Sequence, residues 1–187
     1  MNNLQEYIGY TAGILGFIPY IFFILSIRKG TTKLNLAGWI LYTIAMIMIV
    51  ASSVALGAWQ TIWLAVSYII GQSLVIGFAL KEGYVAFSKF DYVCLALSFL
   101  GLALWVYTKN PLYALTLNVA VDALGTLAIA KKTWAYPGTE DTKAWIMALS
   151  VAVLNCFAIA TFDFSNALYP MYLVFACTLI SVLSLRK

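Results

Sequence analysis

The chain has 187 residues, of which 64% are hydrophobic and 10% are charged, and its formal net charge is +4. Soluble globular proteins carry about 25% charged residues, and this chain has more apolar surface than a soluble domain can hide from water, so we expect an integral membrane protein. It has no histidine, and its three cysteines lie within apolar runs, so neither a disulfide framework nor the commonest metal ligand is present. We therefore expect no metal, no cofactor and no nucleic-acid partner.

Seven apolar runs, each of a length that can cross a bilayer, alternate with short polar breaks. They lie at residues 7–27, 35–56, 60–80, 91–107, 111–130, 143–161 and 167–185. The first run exceeds the apolar region of a signal peptide and lacks a basic segment before it, so it is expected to be retained. The pattern predicts an all-α integral membrane fold with seven transmembrane helices, whose short connections make consecutive helices antiparallel within one bundle.

The basic residues are distributed unequally between the two sides that this alternation defines. One side receives ten of them, Arg28, Lys29, Lys33, Lys81, Lys89, Lys131, Lys132, Lys143, Arg186 and Lys187, and the other receives Lys109 alone. The positive-inside rule then places the C-terminus in the cytoplasm and the N-terminus outside. The expected location is the cell membrane. Topology therefore accounts for the net positive charge without an anionic partner.

A weak internal repeat relates the first three apolar runs to the last three. The matching features, at offsets that drift from 109 to 105 residues, are Leu15-Gly16 with Leu124-Gly125, Gly30-Thr31 with Gly138-Thr139, Trp39 with Trp145, and Lys81 with Arg186. Both halves begin outside, which makes the repeat parallel and the fourth run an inverting connector. We predict one three-helix unit over residues 1–83, a linker helix over 84–110 and a second unit over 111–187; chance matching between apolar helices is the alternative.

Several short motifs in this plan resemble a known family. The segments Gly16-Phe17-Ile18-Pro19, Arg28-Lys29-Gly30-Thr31-Thr32 and Trp39-Ile40-Leu41-Tyr42 are similar to a three-helix unit of the PQ-loop and SWEET (MtN3) superfamily. The segment from Asp122 to Trp145 looks like a more divergent copy. The resemblance implies a 3+1+3 membrane fold, and transport of a small solute. It departs from the family pattern where Tyr20 follows Pro19, since glutamine would complete the PQ dipeptide.

Asp122 is the strongest candidate for function, because it is a carboxylate at the middle of the fifth apolar run. An ionisable group at that depth costs on the order of 3 kcal/mol, so it is expected to line a protein interior or a wet cavity. Asn118 precedes it by one helical turn and is expected on the same face. Apart from Lys143, the first residue of the sixth run, no lysine or arginine lies within a run, which favours a proton site or a site for a cationic solute. A structural hydrogen bond to a neighbouring helix is the alternative.

The other candidates are polar or aromatic groups within the apolar runs. Asn155 and Gln72 are further substrate or proton ligands, with interhelical hydrogen bonding as the alternative. Pro19 lacks an N–H and predicts a kink or hinge in the first run. The remaining side chains that could line a cavity are Tyr20, Tyr42, Tyr68 and Ser73, together with Tyr169 and Tyr172.

Three classes of function remain to be compared. A small-solute transporter that works by alternating access, with proton coupling through Asp122, accounts for the repeat and the mid-membrane acid. A non-transporting membrane receptor or interaction protein on the same fold is the alternative. An enzyme is not expected, because there is neither histidine nor a second mid-span aspartate, and the last run lacks a lysine that could hold retinal. The chain is compatible with oligomers but does not require them.

Overall fold

The computed structural model is all-helical over the residues that it describes, which are 3–30, 36–80, 89–136, 138 and 140–186. In chain order the helices are α1 (Asn3–Leu15), α2 (Ile18–Arg28), α3 (Leu36–Ala55), α4 (Ile62–Ala79), α5 (Lys89–Thr108), α6 (Leu112–Ala135), α7 (Thr142–Cys156) and α8 (Phe164–Ser184). The predicted boundary at 83–84, Thr31, Lys33, Lys81, Thr139 and Lys187 lie outside the described residues.

The first apolar run forms two helices instead of one. The chain turns at Gly16 and Phe17, where the Phe17 amide donates to the Ile14 carbonyl at 3.3 Å, and α2 begins at Ile18. Pro19 therefore occupies the first turn of a new helix, where its missing N–H breaks no helical hydrogen bond. The predicted break in the first run is present, and it falls just before the proline.

Within the described part of the chain, three helical segments are long and apolar enough to cross a membrane: Leu4–Arg28, Leu112–Ala135 and Phe164–Ser184. Four shorter apolar helices accompany them, Trp39–Ala55, Ile62–Phe78, Tyr92–Thr108 and Thr142–Cys156. The sixth predicted run was expected to continue to residue 161, but α7 ends at Cys156 and a turn follows. Large apolar side chains such as Phe99, Phe175 and Val182 are exposed on the outer surface, which is compatible with a lipid environment.

The helices pack in an order that differs from their order in the chain. In the N-terminal part, α4 packs against α1, α2 and α3, and in the C-terminal part α8 packs in the same way against both α6 and α7. The two parts meet where α3 contacts α6 and where α1 and α2 contact α7. Helix α5 packs against α6 and α3. In each part, the last helix in sequence, α4 or α8, therefore lies between the helices that precede it.

Aspartates begin the last two helices. The Asp141 carboxylate accepts a hydrogen bond from the Ala144 amide at 3.0 Å, and the Asp163 carboxylate accepts one from the Asn166 amide at 3.0 Å. The Ser165 hydroxyl, which donates to Asp163 at 2.7 Å, and the Asn166 amide hold the pKa of the exposed Asp163 carboxyl below its usual value. Both are ordinary N-caps, which satisfy amides that have no partner within the helix.

Glycines allow α1 to lie against the beginning of α4. A Cβ atom placed on Gly9 would come within 1.9 Å of the Gln60 carbonyl oxygen, and one on Gly13 would come within 2.9 Å of the Trp63 Cβ. Close backbone approach through small residues spaced four apart is a common mode of packing between membrane helices. The contact fixes α1 against the α3–α4 connection.

We predict that Gly9→Ala destabilises the protein by about 1–3 kcal/mol, because the new methyl group meets backbone atoms that cannot turn aside. Gly77→Ala is the matched control: it also lies in a helix, but a Cβ there meets nothing within 4 Å. Thermal unfolding of both variants in detergent provides the measurement. Equal midpoints for the two variants would show that α1 and α4 do not approach as closely as described.

Candidate functional site

A cavity lies at the centre of the helices, where the N-terminal and C-terminal parts of the chain meet. Its volume is about 80 Å³, which is ample for ordered water. It is lined by Pro19, Tyr20 and Phe23 of α2, Trp39, Tyr42 and Met46 of α3, Tyr68 and Gln72 of α4, Asp122, Thr126 and Ile129 of α6, Trp145 and Ala148 of α7, and Leu173, Ala176 and Cys177 of α8. Six of the eight helices that the structure describes thus contribute to one site.

Asp122 is the acidic group of this lining and is 7% exposed. The Tyr172 hydroxyl of α8 donates a hydrogen bond to its Oδ2 atom, and the Tyr172 oxygen lies 2.9 Å from the Thr126 hydroxyl. Since Tyr172 has a single proton to donate, an ionised Asp122 requires Thr126 to donate to Tyr172. A proton on Asp122 would allow every bond in the chain to reverse, although a neutral carboxyl can also accept from Tyr172.

The ionisable groups that interact with Asp122 are hydroxyls and a thiol. They are Tyr20 of α2, Tyr42 of α3, Tyr68 of α4, and Tyr169, Tyr172 and Cys177 of α8. The described lining contains no lysine and no arginine. Asp122 therefore has a hydrogen-bond donor in this structure but no counter-ion among these residues.

Two glycines make room for tyrosine rings beside the acid. A Cβ on Gly125 would lie 2.4 Å from the Tyr42 hydroxyl, and one on Gly71 would lie 2.2 Å from the ring of Tyr20. The Tyr42 hydroxyl faces Thr126 without a hydrogen bond of ordinary geometry. The Tyr68 hydroxyl is likewise buried without a hydrogen-bond partner. Both hydroxyls belong to residues that line the cavity.

Gln72 is the other polar group predicted for the site, and it does line the cavity. Its side-chain oxygen accepts a hydrogen bond from the Thr43 hydroxyl at 3.2 Å, and its amide interacts with the hydroxyl of Tyr20. Gln72 therefore joins α2, α3 and α4 on the N-terminal side of the cavity, while Asp122 joins α6 and α8 on the other side.

The remaining predicted polar residues lie away from the cavity. Asn118 is fully buried, its side-chain nitrogen donates to the Ala114 carbonyl at 2.9 Å, and it packs against Gly101 of α5. Asn155 donates to the Thr61 carbonyl at 3.2 Å, near the end of α7. Ser73 is exposed and donates to the Ile69 carbonyl of its own helix. The structure thus brings together Asp122, Gln72, Pro19, Tyr20, Tyr42 and Tyr68, and leaves these three apart.

Sequence reasoning missed several residues of the lining. Trp39 and Trp145 lie near the ends of apolar runs, where interfacial tryptophans are typical, but both line the cavity together with Phe23. The Trp145 indole donates to Glu140 at 3.0 Å, and Glu140 also pairs with Lys132 at 2.5 Å, which fixes the ring from outside the cavity. Thr126 follows Asp122 by one helical turn, and this spacing was the one available signal for it.

A second, more polar pocket lies at the end of the molecule where Asn155 meets Thr61. The α3–α4 connection lines it with Gly57, Ala58, Gln60 and Thr61, and the α7–α8 connection lines it with Ile159, Ala160, Thr161 and Asn166. The Asn155 bond therefore ties the N-terminal and C-terminal parts together beside this pocket.

Comparison with protein-family models, with curated proteins and with solved structures finds no match for this chain.

We predict that Tyr172→Phe destabilises the protein by about 1–3 kcal/mol, because it leaves the buried Asp122 carboxyl without its donor. Tyr169→Phe is the matched control on the same helix, since its hydroxyl contacts only the weak acceptor Sδ of Met46, at 3.1 Å, and a smaller loss is expected. Chemical unfolding of the two variants in detergent tests this. A double variant with Asp122→Asn should lose less than the sum of the two single losses, and strict additivity would contradict the contact.

Proposed function

We propose that this protein is a small-solute membrane transporter that works by alternating access between two units of three spans each, joined by α5. The first unit is α1–α4, in which α1 and α2 together make one span, and the second is α6–α8. The observation that carries the proposal is the cavity between these units, with an acid on one of its walls. In this proposal seven spans cross the membrane, the N-terminus is outside and the C-terminus is cytoplasmic. The 3+1+3 plan resembles that of the PQ-loop and SWEET superfamily.

The cavity lining supports the proposed repeat. The repeat in the sequence has offsets of 109, 106 and 105 residues for the first, second and third spans of the two units. With these offsets, several residues of the first unit that line the cavity correspond to residues of the second unit that also line it. The pairs are Tyr20 with Ile129, Trp39 with Trp145, Tyr42 with Ala148, Tyr68 with Leu173 and Gln72 with Cys177. If the matches between apolar helices arose by chance, the matched positions would have no reason to face the same cavity. The shared helix order of the two units supports the repeat in the same way.

The contacts between the units indicate how access would change. At one end, the Asn155 side chain holds the α3–α4 connection next to the end of α7. Towards the other end of the cavity, the Phe23 ring packs against Trp145, with 5.9 Å between ring centroids. Rocking of one unit against the other would break one of these contacts while it keeps the other. Such motion around a fixed central site is the usual form of alternating access in proteins built from repeats.

Asp122 is the proposed coupling group. A carboxyl that loses access to water in one state and regains it in another changes its free energy of ionisation between the states. Proton binding and access are then linked, and a solute that interacts with the carboxyl is linked to both. This linkage is what a transporter needs in order to use a proton gradient.

The expected behaviour of Asp122→Asn in reconstituted vesicles tests the proposal. Wild-type vesicles should take up at least one labelled solute from a panel of sugars, amino acids, amines and vitamins in a saturable manner, and an imposed proton gradient should change the rate. Asp122→Asn keeps a hydrogen-bonding group of the same size but cannot exchange a proton, so it should abolish the response to the gradient and spare exchange.

Asp163→Asn is the control for this experiment, because it removes an exposed carboxyl that caps α8 and asparagine caps helices equally well. It should transport as the wild type does. No uptake of any solute class by the folded protein would contradict the transporter, and an unchanged gradient response in Asp122→Asn would contradict the coupling.

Pro19 is the proposed hinge, because it begins α2 beside the cavity, directly after the break at Gly16 and Phe17. Pro19→Ala restores a backbone donor and should let α1 and α2 join more continuously. We expect at least a threefold slower exchange with a thermal midpoint close to that of the wild type. Cysteine accessibility on the two membrane sides measures the shift between states. Unchanged exchange and accessibility would leave Pro19 with a static role only.

A further inference from the structure

We infer that the central cavity binds a small organic cation, with Asp122 as its counter-charge and aromatic rings around its cationic group. This inference rests on the proposed solute-binding role of the cavity and specifies the chemical class of the solute. Three observations carry it: the charge balance of the lining, the concentration of aromatic rings, and two buried hydroxyls without partners.

The charge balance favours a cationic ligand. The described lining contains the Asp122 carboxyl and no basic side chain. A buried carboxylate that lacks a counter-ion is unfavourable, and a ligand that brings one positive charge relieves that cost. A zwitterionic or anionic solute would add a carboxylate or phosphate for which these residues supply no cationic partner. A sugar would require several hydrogen-bonding groups, whereas most of the lining is aromatic or aliphatic.

Aromatic rings form much of the wall. The cavity is lined by the rings of Tyr20, Phe23, Trp39, Tyr42, Tyr68 and Trp145. Edge-to-face contacts connect them: Phe23 lies 5.3 Å from Trp39 and 5.9 Å from Trp145, and Tyr20 lies 5.4 Å from Tyr68, between ring centroids. Aromatic faces attract ammonium groups within about 6 Å, most strongly when the cation is removed from water. The rings are held by one another, so they are positioned before a ligand arrives.

The hydroxyls of Tyr68 and Tyr42 provide an independent indication of a ligand. Tyr68 is 5% exposed, and neither hydroxyl oxygen has a hydrogen-bond partner. Buried polar groups are nearly always paired, by protein, water or ligand. Both hydroxyls belong to the cavity lining, where the polar end of a ligand can reach them.

The volume restricts the size of the cation. At about 80 Å³ the cavity is well below the range of roughly 300–1,000 Å³ that holds drug-sized ligands. Methylated ammonium ions and short amino alcohols are the organic cations that come nearest to this size. We therefore place the ligand among small primary to quaternary amines that carry no acidic group.

Direct binding to the purified full-length protein tests the inference. The probes are choline and its uncharged analogue of the same shape, 3,3-dimethylbutan-1-ol, measured by titration calorimetry. Wild-type protein should bind choline at least about tenfold more tightly than the neutral analogue, because only choline interacts with the carboxylate and the ring quadrupoles. In Asp122→Asn this preference should fall to about one.

The aromatic wall has its own matched pair of variants. Trp145→Leu removes a ring from the cavity and should weaken choline binding several-fold, with little effect on the neutral analogue. Trp134→Leu removes an exposed ring that stacks on Arg186 outside the cavity, and should leave binding of both probes unchanged. Near-wild-type thermal midpoints establish that the variants are folded.

The outcomes separate this inference from the proposed transport. Equal binding of the two probes, absence of choline and tetramethylammonium binding by the folded protein, or a preference that survives Asp122→Asn would each overturn the cation site. Uptake of a labelled neutral solute without cation binding would overturn the cation site and leave the transporter. Choline binding that depends on Asp122, without uptake of any solute by vesicles, would support the site and overturn the transporter.

Discussion

The contact between the Asp122 carboxyl and the Tyr172 hydroxyl is the interaction on which the arrangement of the C-terminal helices depends. A carboxyl in an apolar helix must have a partner, and the partner here belongs to α8, so α6 and α8 must lie side by side with these faces together. Helix α7 then packs on the other side of α8. The same requirement places the acid on the wall of a cavity and away from lipid.

Steric space is the second constraint, and glycine provides it. Gly71 and Gly125 leave hollows on α4 and α6 that the Tyr20 and Tyr42 side chains fill. A methyl group at either position would push a tyrosine into the cavity or separate the helices. The glycines thus leave room for aromatic side chains to lie close to Asp122, and the helices that carry these side chains surround the Asp122 carboxyl.

The sequence predicted the helical class, most helix positions and the buried acid, because apolar run length and a lone charge are local signals. It could not predict which neighbour each face would meet. Asn118 and Asp122 are one turn apart, yet their side chains are offset by about 40° around α6. Because α6 contacts both α5 and α8, Asn118 meets α5 while Asp122 meets α8. The locations of the Trp39 and Trp145 side chains were ambiguous for the same reason, since a tryptophan ring near a helix end can lie at the membrane interface or in a cavity.

The proposed repeat has one further consequence. At the offset of 109 residues, the position that corresponds to Asp122 in the N-terminal unit is Gly13, which lies against Trp63. Two identical units would put an acid on both walls or on neither, and two carboxylates facing one small space would repel each other. A single chain with unequal halves avoids that conflict and places one acidic side chain, and not two, on the wall of the cavity.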